Sequence, residues 1–556
     1  FFIKLFIVFA NKKKVSFTII PITAISILCA VLTLPAFLYV LRYNLHMFQL
    51  NGYKNGEHIH WLKKNVSRQY LLILIGILGV LSMCLPGIVT LFLQAACALI
   101  CMKYYLYLKK TNTKKKLVYT ARVKRLILTD SILVILLLVL TGVFLGASRI
   151  AGAFAILTML QIIALVIVNW INRPVEGMIN QHYINDAKKK LRSVPDLTVI
   201  GVTGSYGKTS VKYYLDTLLK EHFEVLITPE SYNTPMGVVK TIRSSLKPSH
   251  QIFICEMGAR HVGDIKEICD MVHPDHGVIT SIGPQHLETF FNMDNIVNTK
   301  FELADALPEV GLLFLNGDNE YIRNHSGKYK NKIFYTTGEW AKARELESQI
   351  EEGEVPQYYQ TGDVKLSRTG TEFTVTAPDG EKETFQMRLL GEHNVINVAG
   401  AVAVANTLGI PLKQLKVPVR RIQPVAHRMQ LLERGNYTII DDAFNSNPVG
   451  SRAAVETLKQ FEGVRILITP GMVELGEKEE EYNYKFGTYA ADCCDYILLV
   501  GEKHTAPIHK GVLESGFSQE RCRVFEKLED ALSFAYSIKA EGHKFILLEN
   551  DLPDNY

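Results

Sequence analysis

Four long runs almost free of charge fill the first third of the chain: Val15–Leu41, Gln69–Met102, Leu126–Ala147 and Ala151–Ile171. In hydrocarbon every backbone N–H and C=O must be paired within its own segment, so runs of this kind fold as helices. A crossing helix needs about 20 apolar residues, and three of the runs suit single spans. Gln69–Met102 is too long for one span and carries Leu85-Pro86-Gly87 near its middle. A tight hairpin there gives two short spans and five in all; a single kinked helix is the alternative, because proline is tolerated inside membrane helices. Within Leu126–Ala147 the one charged residue is Asp130.

Lysine and arginine set the orientation. Lys103, Lys109, Lys110, Lys114, Lys115, Lys116, Arg122, Lys124 and Arg125 crowd one loop, which is expected on the cytoplasmic side. With five spans, the loop of Lys54, Lys63, Lys64 and Arg68 is also inside, as is everything after Ile171. Lys12, Lys13 and Lys14 then lie outside, against the rule, and a further segment over Phe1–Ala10 does not remove the conflict. Because the first residue is Phe1 and not Met, a few preceding residues are expected. Several spans in series are not a cleavable signal sequence. The basic loop reads as a topology determinant, with recognition of anionic lipid headgroups as the alternative.

The length of 556 residues is a prior for three or four domains. The formal charge of +6 lies largely between the apolar runs, so no nucleic-acid partner is expected. Four of the nine cysteines (Cys29, Cys84, Cys97, Cys101) sit inside apolar runs, and the others form no CxxC pair. Adjacent Cys493 and Cys494 do not easily bridge, which suits a reducing cytoplasm.

Residues 173–195 read as a partly helical linker. A β-branched strand, Leu197–Val202, then runs into Thr203-Gly204-Ser205-Tyr206-Gly207-Lys208-Thr209-Ser210 and a helix through Lys220. Strand, glycine turn and helix together make a phosphate-binding loop: backbone N–H groups curl round phosphate oxygens, and the helix N-terminus adds a favourable dipole. Lys208 is placed to reach the β- and γ-phosphates and Thr209 to hold Mg²⁺. Val202 stands where the widest form of the motif has glycine, so the match is to the narrower T-G-[ST]-x-G-K-[TS].

That loop resembles the one of the Mur ligases, and further matches follow in the family's order. Ile252–Gly258 reads as a strand ending in Glu256 and is similar to the family's magnesium-binding E-[LM]-G segment. Val278–Gly283 reads as another strand, followed by His286-Leu287-Glu288 where the family has a magnesium-site histidine. Lys300 stands where the family carries a lysine that reacts with CO₂ to form a carbamate. Gly391–Asn397 is similar to its G-x-H-N-x-x-N helix start, whose asparagines, here Asn394 and Asn397, approach adenine; an ordinary helix over Val395–Leu408 is the structural alternative. Pro424–Gln430 resembles a hinge, and Asp441–Pro448 is close to the D-D-A-Y-N-A-N-P signature of the branch that adds D-alanyl-D-alanine. The resemblance puts Arg428 on the γ-phosphate and Asp442 on the ribose. Ile466–Gly476 is similar to the same branch's G-x-M-x-E-L-G, where Glu474 is expected to serve only as a strand end and turn.

Two departures stand out. The soluble domain that grips the uridine nucleotide in the family is replaced by the apolar region, and the family's late K-G-S is replaced by Glu549-Asn550-Asp551.

The expected architecture is a polytopic α-helical membrane domain (1–172), the linker, a P-loop α/β Mur ligase central domain (196–425) and a Rossmann-like C-terminal domain (426–556). What the resemblance implies is ATP-dependent amide ligation through an acyl phosphate, at a multi-pass bacterial membrane with the catalytic domains in the cytoplasm. The implied cofactors are ATP, two Mg²⁺ ions and CO₂ as the Lys300 carbamate. Thr209, Glu256, His286 and Lys300 are the metal ligands, and Thr203, Gly204, Ser205, Gly207, Lys208, Thr209, Ser210, Asn394, Asn397, Arg428 and Asp442 the nucleotide site. The partners are a nucleotide- or lipid-linked cell-wall precursor and an amino-acid or dipeptide amine. Oligomeric state is not legible. The alternatives are a catalytically silent membrane scaffold, a polyglutamate-type ligase, against which Asp441–Pro448 argues, and an ATP-driven transporter, which lacks a second nucleotide site.

Overall fold

The structure, a computed structural model, describes residues 16–85, 87–109, 116–338, 357–367, 370–444, 446–539 and 542–551. Lys12–Lys14, Pro86, Lys110, Lys114, Lys115 and Asn445 lie outside the described residues. Two compact units are present, divided between Asn180 and Gln181.

Among its described residues the first unit is helical and has no strand. Its apolar helices run over Ser16–Leu50, Tyr70–Cys84, Ile88–Leu108, Ala121–Leu145 and Ile150–Arg192, the last of which belongs to the second unit from Gln181 onward. Four of them are long and apolar enough to cross a membrane, with Tyr70–Cys84 the shorter fifth. The run Gln69–Met102 therefore breaks into two helices around Leu85–Gly87. Cys97 Sγ lies 3.6 Å from the Ile75 carbonyl, as expected of antiparallel arms. The 15 residues of the first arm rise about 22 Å, short of the ~30 Å hydrocarbon core. The first helix also runs past Arg42, which stays exposed, to Leu50. Ile150–Arg192 continues unbroken through Pro174.

Small residues let these helices approach. A Cβ on Gly79 would lie 2.9 Å from the Gly152 carbonyl, and one on Gly152 would lie 2.3 Å from Ser82 Oγ. This is the small-residue packing that membrane helices use in place of a hydrophobic driving force. Polar side chains turn inward, while Leu99 and Phe144 point outward at 73% and 76% exposure. Asp130 accepts from Gln161 Nε2 at 3.1 Å on both oxygens, and Arg125 holds Glu176 through two bonds of 2.6 and 2.8 Å.

The second unit holds two sheets. In the first, β1 (Thr198–Thr203), β2 (Val225–Ile227), β3 (Ile252–Glu256), β4 (His276–Ile279), β5 (Leu313–Asn316), β6 (Lys332–Thr336), β7 (Gln357–Ser367), β8 (Gly370–Thr376) and β9 (Lys382–Met387) are ordered β2-β3-β1-β4-β5-β6-β7-β8-β9. Pairing is parallel from β2 to β7 and antiparallel from there to β9. Helices cover both faces, which is why β1, β3 and β4 read as near-continuous apolar runs. On one face Val211, Leu215 and Leu218 of helix Lys208–Leu219 share a core with Val398, Ala401 and Val402 of helix Glu392–Thr407. On the other, Val238, Ile242, Ile265, Ile268 and Phe301 form a second core.

Strand β4 stops at Ile279, earlier than the expected Gly283. Beyond it the chain turns to serve the phosphate loop: Thr280 Oγ1 donates to the Thr203 carbonyl at 3.1 Å, and the Ser281 carbonyl accepts from Ser205 N at 2.6 Å. The helix expected over Val395–Leu408 begins earlier, at Glu392, just after Gly391.

The second sheet is ordered β10-β11-β15-β12-β13-β14, from β10 (Gln430–Arg434), β11 (Tyr437–Asp442), β12 (Val464–Thr469), β13 (Tyr496–Val500), β14 (Cys522–Phe525) and β15 (Lys544–Glu549). Only β10 is antiparallel to its neighbour. In open parallel sheets ligands bind beyond the carboxyl ends of the strands, where the order reverses. Those ends are Thr203, Glu256 and Ile279 in the first sheet and Asp442, Thr469 and Glu549 in the second.

Candidate active site

Helix Lys208–Leu219 starts directly behind β1, with Gly207 at φ 81° as its N-cap and no side chain capping it. An uncapped helix start leaves its first N–H groups for an anion. The loop itself is locked. A Cβ on Gly204 would come 2.2 Å from Thr280 Oγ1, so only glycine fits there. Ser205 Oγ is spent on Gly283, donating to its carbonyl at 3.0 Å and accepting from its N–H at 3.1 Å. Thr203 Oγ1 donates to the Met257 carbonyl at 2.9 Å. These two side chains build the loop and leave phosphate contact to the backbone.

Lys208 Nζ folds back onto the carbonyls of Gly204 and Ser205 at 2.6 and 2.9 Å. Burial lowers its pKa to about 8, against the pull of Glu256 and with help from Arg428. Thr209 Oγ1 donates to Glu256 Oε1 at 3.1 Å, and Arg428 Nη2 reaches the same hydroxyl at 3.3 Å. Arg428 also lies over the Phe444 ring, 4.7 Å from its centroid. A carboxylate, a hydroxyl and a guanidinium thus meet at the helix start. Ser210 is buried in the same first turn.

Two residues outside the family's motifs hold Glu256. Asn233 Nδ2 donates to Oε1 at 3.0 Å, and the fully buried Lys212 pairs with Oε2 at 2.9 Å. Burial pushes the Glu256 carboxyl up, but Lys212 and Lys208 outweigh it and hold it below the ordinary glutamate value. Helical spacing was the missed signal for Lys212, which stands one turn beyond Lys208 and Thr209 on the same side. Asn233 comes from the loop after β2 and had none.

Lys300 lies on helix Met293–Asp305, buried, with its ammonium 6.0 Å from the Phe290 ring centroid. Among the described residues no carboxylate stands within ion-pair distance of it. Burial, and secondarily the charge of Lys208, push its pKa well below the ordinary lysine value. His286 follows β4 in a left-handed backbone (φ 54°) and bonds through Nδ1 to Glu474, which Arg260 Nη2 also reaches at 3.1 Å. The expectation that Glu474 only ends a strand is therefore too small: its carboxylate ties the second sheet's loop to the first sheet's site.

Asn397 lies beside the phosphate loop, its Oδ1 2.7 Å from where a Cβ on Gly207 would stand. Asn394 is turned inward, accepting from Tyr214 at 2.9 Å and donating to the Leu390 carbonyl at 2.8 Å. Asp442 accepts from Met429 N at 3.1 Å, and burial raises its carboxyl to about 6.

The sequence findings match this geometry. The Mur ligase middle domain matches residues 202–405, and the Mur ligase glutamate ligase domain matches residues 427–549. The UDP-N-acetylmuramoyl-tripeptide–D-alanyl-D-alanine ligase of Bacillus subtilis (strain 168) is 30% identical over 349 residues, covering 62% of this chain and 71% of that protein. The chain belongs to the Mur ligase family. Its members are ATP-dependent carboxylate–amine ligases. The enzyme of the same name from Escherichia coli (strain K12) is 29% identical over 322 residues, 57% of this chain and 67% of that one. Among solved structures, the MurF ligase from Thermotoga maritima in complex with ADP aligns with a TM-score of 0.57 at 25% identity, covering 67% of this chain and 80% of that one. MurF from Acinetobacter baumannii shares the fold, with a TM-score of 0.57, 24% identity and coverage of 68% and 78%.

In place of the family's K-G-S, this Mur ligase has a buried acid. Glu549 accepts from Thr469 Oγ1 at 2.7 Å and from Ser446 Oγ, and Asn550 Nδ2 donates to the Gly471 carbonyl at 2.6 Å. Burial raises Glu549 to about 7, with Asp442 adding to the rise and the two hydroxyls opposing it. A carboxyl raised in the folded state binds its proton more tightly there, so its contribution to stability falls as pH climbs from 4.5 to about 7. Glu549→Gln is expected to remove that fall, on the order of 3 kcal/mol, leaving only the smaller part due to Asp442. Comparing Tm of parent and variant at pH 5 and pH 8 checks this: the two converge at pH 5 and the variant is the more stable at pH 8.

Proposed function

We propose that this Mur ligase adds D-alanyl-D-alanine, or a similar amine, to the carboxylate of a cell-wall precursor at the expense of ATP. The observation that carries the reading is the meeting of Thr209, Glu256 and Arg428 at the start of the phosphate-loop helix, within 3.1 and 3.3 Å. The likeness to the D-alanyl-D-alanine-adding enzymes and the Asp441–Pro448 stretch support the choice of amine.

A hard cation suits the site, because the Thr209 hydroxyl and Glu256 carboxylate already share one bond that an oxygen-seeking ion would replace. Thr209 and Glu256 would hold one Mg²⁺, which would offset the charge of the nucleotide's phosphates. Glu256, His286 and Lys300 as its carbamate would hold a second, which screens charge on the acyl group. The free amine, toward which burial shifts Lys300, is the form able to add CO₂: a C–N bond forms and a proton leaves the nitrogen.

In the reaction the substrate carboxylate attacks the γ-phosphorus and ADP leaves, giving an acyl phosphate. The free amine then attacks the acyl carbon, inorganic phosphate leaves, and the nitrogen loses one proton as the amide forms. Lys208 and Arg428 offset charge on the transferring phosphoryl group, where electrostatics and positioning carry most of the catalysis. Asn397 beside Gly207 and Asp442 behind Met429 border the nucleoside side, with Asn394 supporting the helix from within. Closure of the C-terminal domain over the site would exclude water that could otherwise hydrolyse the acyl phosphate.

Four helices long enough to cross a membrane favour a variant in which the precursor is lipid-linked and the catalytic unit works at the cytoplasmic face. Phosphate release from the detergent-solubilised protein with ATP, Mg²⁺ and D-Ala-D-Ala separates the cases. Release that needs both carboxylate and amine, and falls at least about 10³-fold in Lys208→Ala, is the expected result. Turnover of a uridine-nucleotide stem but not of an undecaprenyl-linked one would sink the lipid-linked variant. Release without any amine would sink the ligase reading.

A further inference from the structure

His286 and Glu474 come from different sheets and meet through a single ring nitrogen. His286 follows β4, and Glu474 sits between Gly471 and Gly476 in the loop after β12. Both are non-glycine residues in left-handed backbone, at φ 54° and 65°. Such conformations persist only where the surroundings enforce them, and they concentrate at functional sites. The enforcement is visible: Glu474 is bonded to His286 Nδ1, Arg260 Nη2 grips its other oxygen at 3.1 Å, and its own carbonyl accepts from Glu288 N at 3.5 Å. Histidine and glutamate are both largely buried, at 13% and 14% exposure.

A carboxylate that faces Nδ1 accepts the ring hydrogen there, which fixes the tautomer and leaves the Nε2 lone pair as the ring's acceptor. Carboxylate behind imidazole is the arrangement that orients metal-ligating histidines.

We propose that Glu474 is a positioning residue: it orients His286 from the C-terminal domain, so that the second cation site is complete only when that domain is docked on the central one. This rests on the reading of His286 as a cation ligand. It gives the docking contact a direct consequence for the acyl end of the site, since the loop that carries Glu474 is itself anchored through Gly471 to Asn550.

The test uses the full chain in detergent with a non-hydrolysable ATP analogue and Mn²⁺ as the probe, free Mn²⁺ being read by electron paramagnetic resonance. Two classes of Mn²⁺ site are expected in the parent. His286→Ala and Glu474→Ala should each weaken one class by roughly 10- to 100-fold, with nucleotide affinity and the other class unchanged. Glu474→Gln, which keeps an acceptor for Nδ1–H, should restore most of that affinity, and Arg260→Ala should lose less than Glu474→Ala. Should Glu474→Ala lower Tm enough to blur the reading, Glu474→Gln and Arg260→Ala decide it by the same order of effects. Loss in His286→Ala with parental binding in Glu474→Ala overturns the proposal and leaves the cation reading standing. Parental binding in His286→Ala overturns both.

Discussion

Glu256→Ala is expected to cost the protein both its turnover and a large part of its stability. The carboxylate accepts from Thr209 and Asn233 and pairs with Lys212, a lysine with no solvent exposure. Truncation leaves that ammonium buried without its counter-charge, and breaking a buried pair from one side costs about 3–5 kcal/mol. Phosphate release should fall at least 10²- to 10³-fold, on the order seen when one preorganised electrostatic group is removed. Thermal unfolding and the phosphate assay read the two effects separately. The double variant Lys212→Met/Glu256→Leu discriminates further: replacing both charges by apolar groups should recover most of the stability and none of the activity. If Glu256→Ala melts with the parent, Lys212 does not depend on it. The pH dependence has a definite sign. Glu256 is held below its ordinary pKa in the folded state, so its contribution is present above the unfolded value of 4.5 and lost as pH falls below it.

Lys300→Met should do the reverse to stability while removing activity at least about 10³-fold, the scale of lost electrostatic stabilisation at a reacting centre. Lys300 is buried beside Phe290 with its pKa pushed well down. Between its folded and unfolded pKa values the unfolded chain binds the extra proton, so stability rises with pH across that window toward 10.5. Methionine fills a similar volume without a charge to desolvate, so the variant should flatten this rise and melt above the parent at pH 7. A variant that gains stability as it loses function is the mark of a group kept for chemistry. Parental turnover in Lys300→Met would remove the carbamate from the mechanism, and a lower Tm at pH 7 would show that the amine has a partner in the fold.

Much of the site was legible because it is local in the chain. The strand, the glycine turn and the helix that form the phosphate loop are consecutive, so Gly204, Gly207, Lys208 and Thr209 announce their own geometry. The apolar runs were legible for a similar reason, since a helix in hydrocarbon pairs its backbone within itself. Gln69–Met102 shows the limit: the break at Leu85–Gly87 follows from the residues, whereas the close approach of Gly79 to Gly152 does not. Asn394 shows another. Its place in a helix start was readable, but Tyr214, which turns its carboxamide inward, is distant in sequence.

The sequence by itself determined the apolar helices, the strand–loop–helix phosphate site and the family, because each is written in neighbouring residues or in their period. The tertiary structure alone decided that Lys212 and Asn233 share Glu256, that Arg428 reaches Thr209, that Glu549 takes the hydroxyls of Ser446 and Thr469, and that Glu474 holds His286. Apart from Thr209 and Lys212, which share one helix, each partner comes from a separate strand end or loop. Parallel sheets gather such ends at one edge through long crossovers, and no local period in the chain records which of them will face each other.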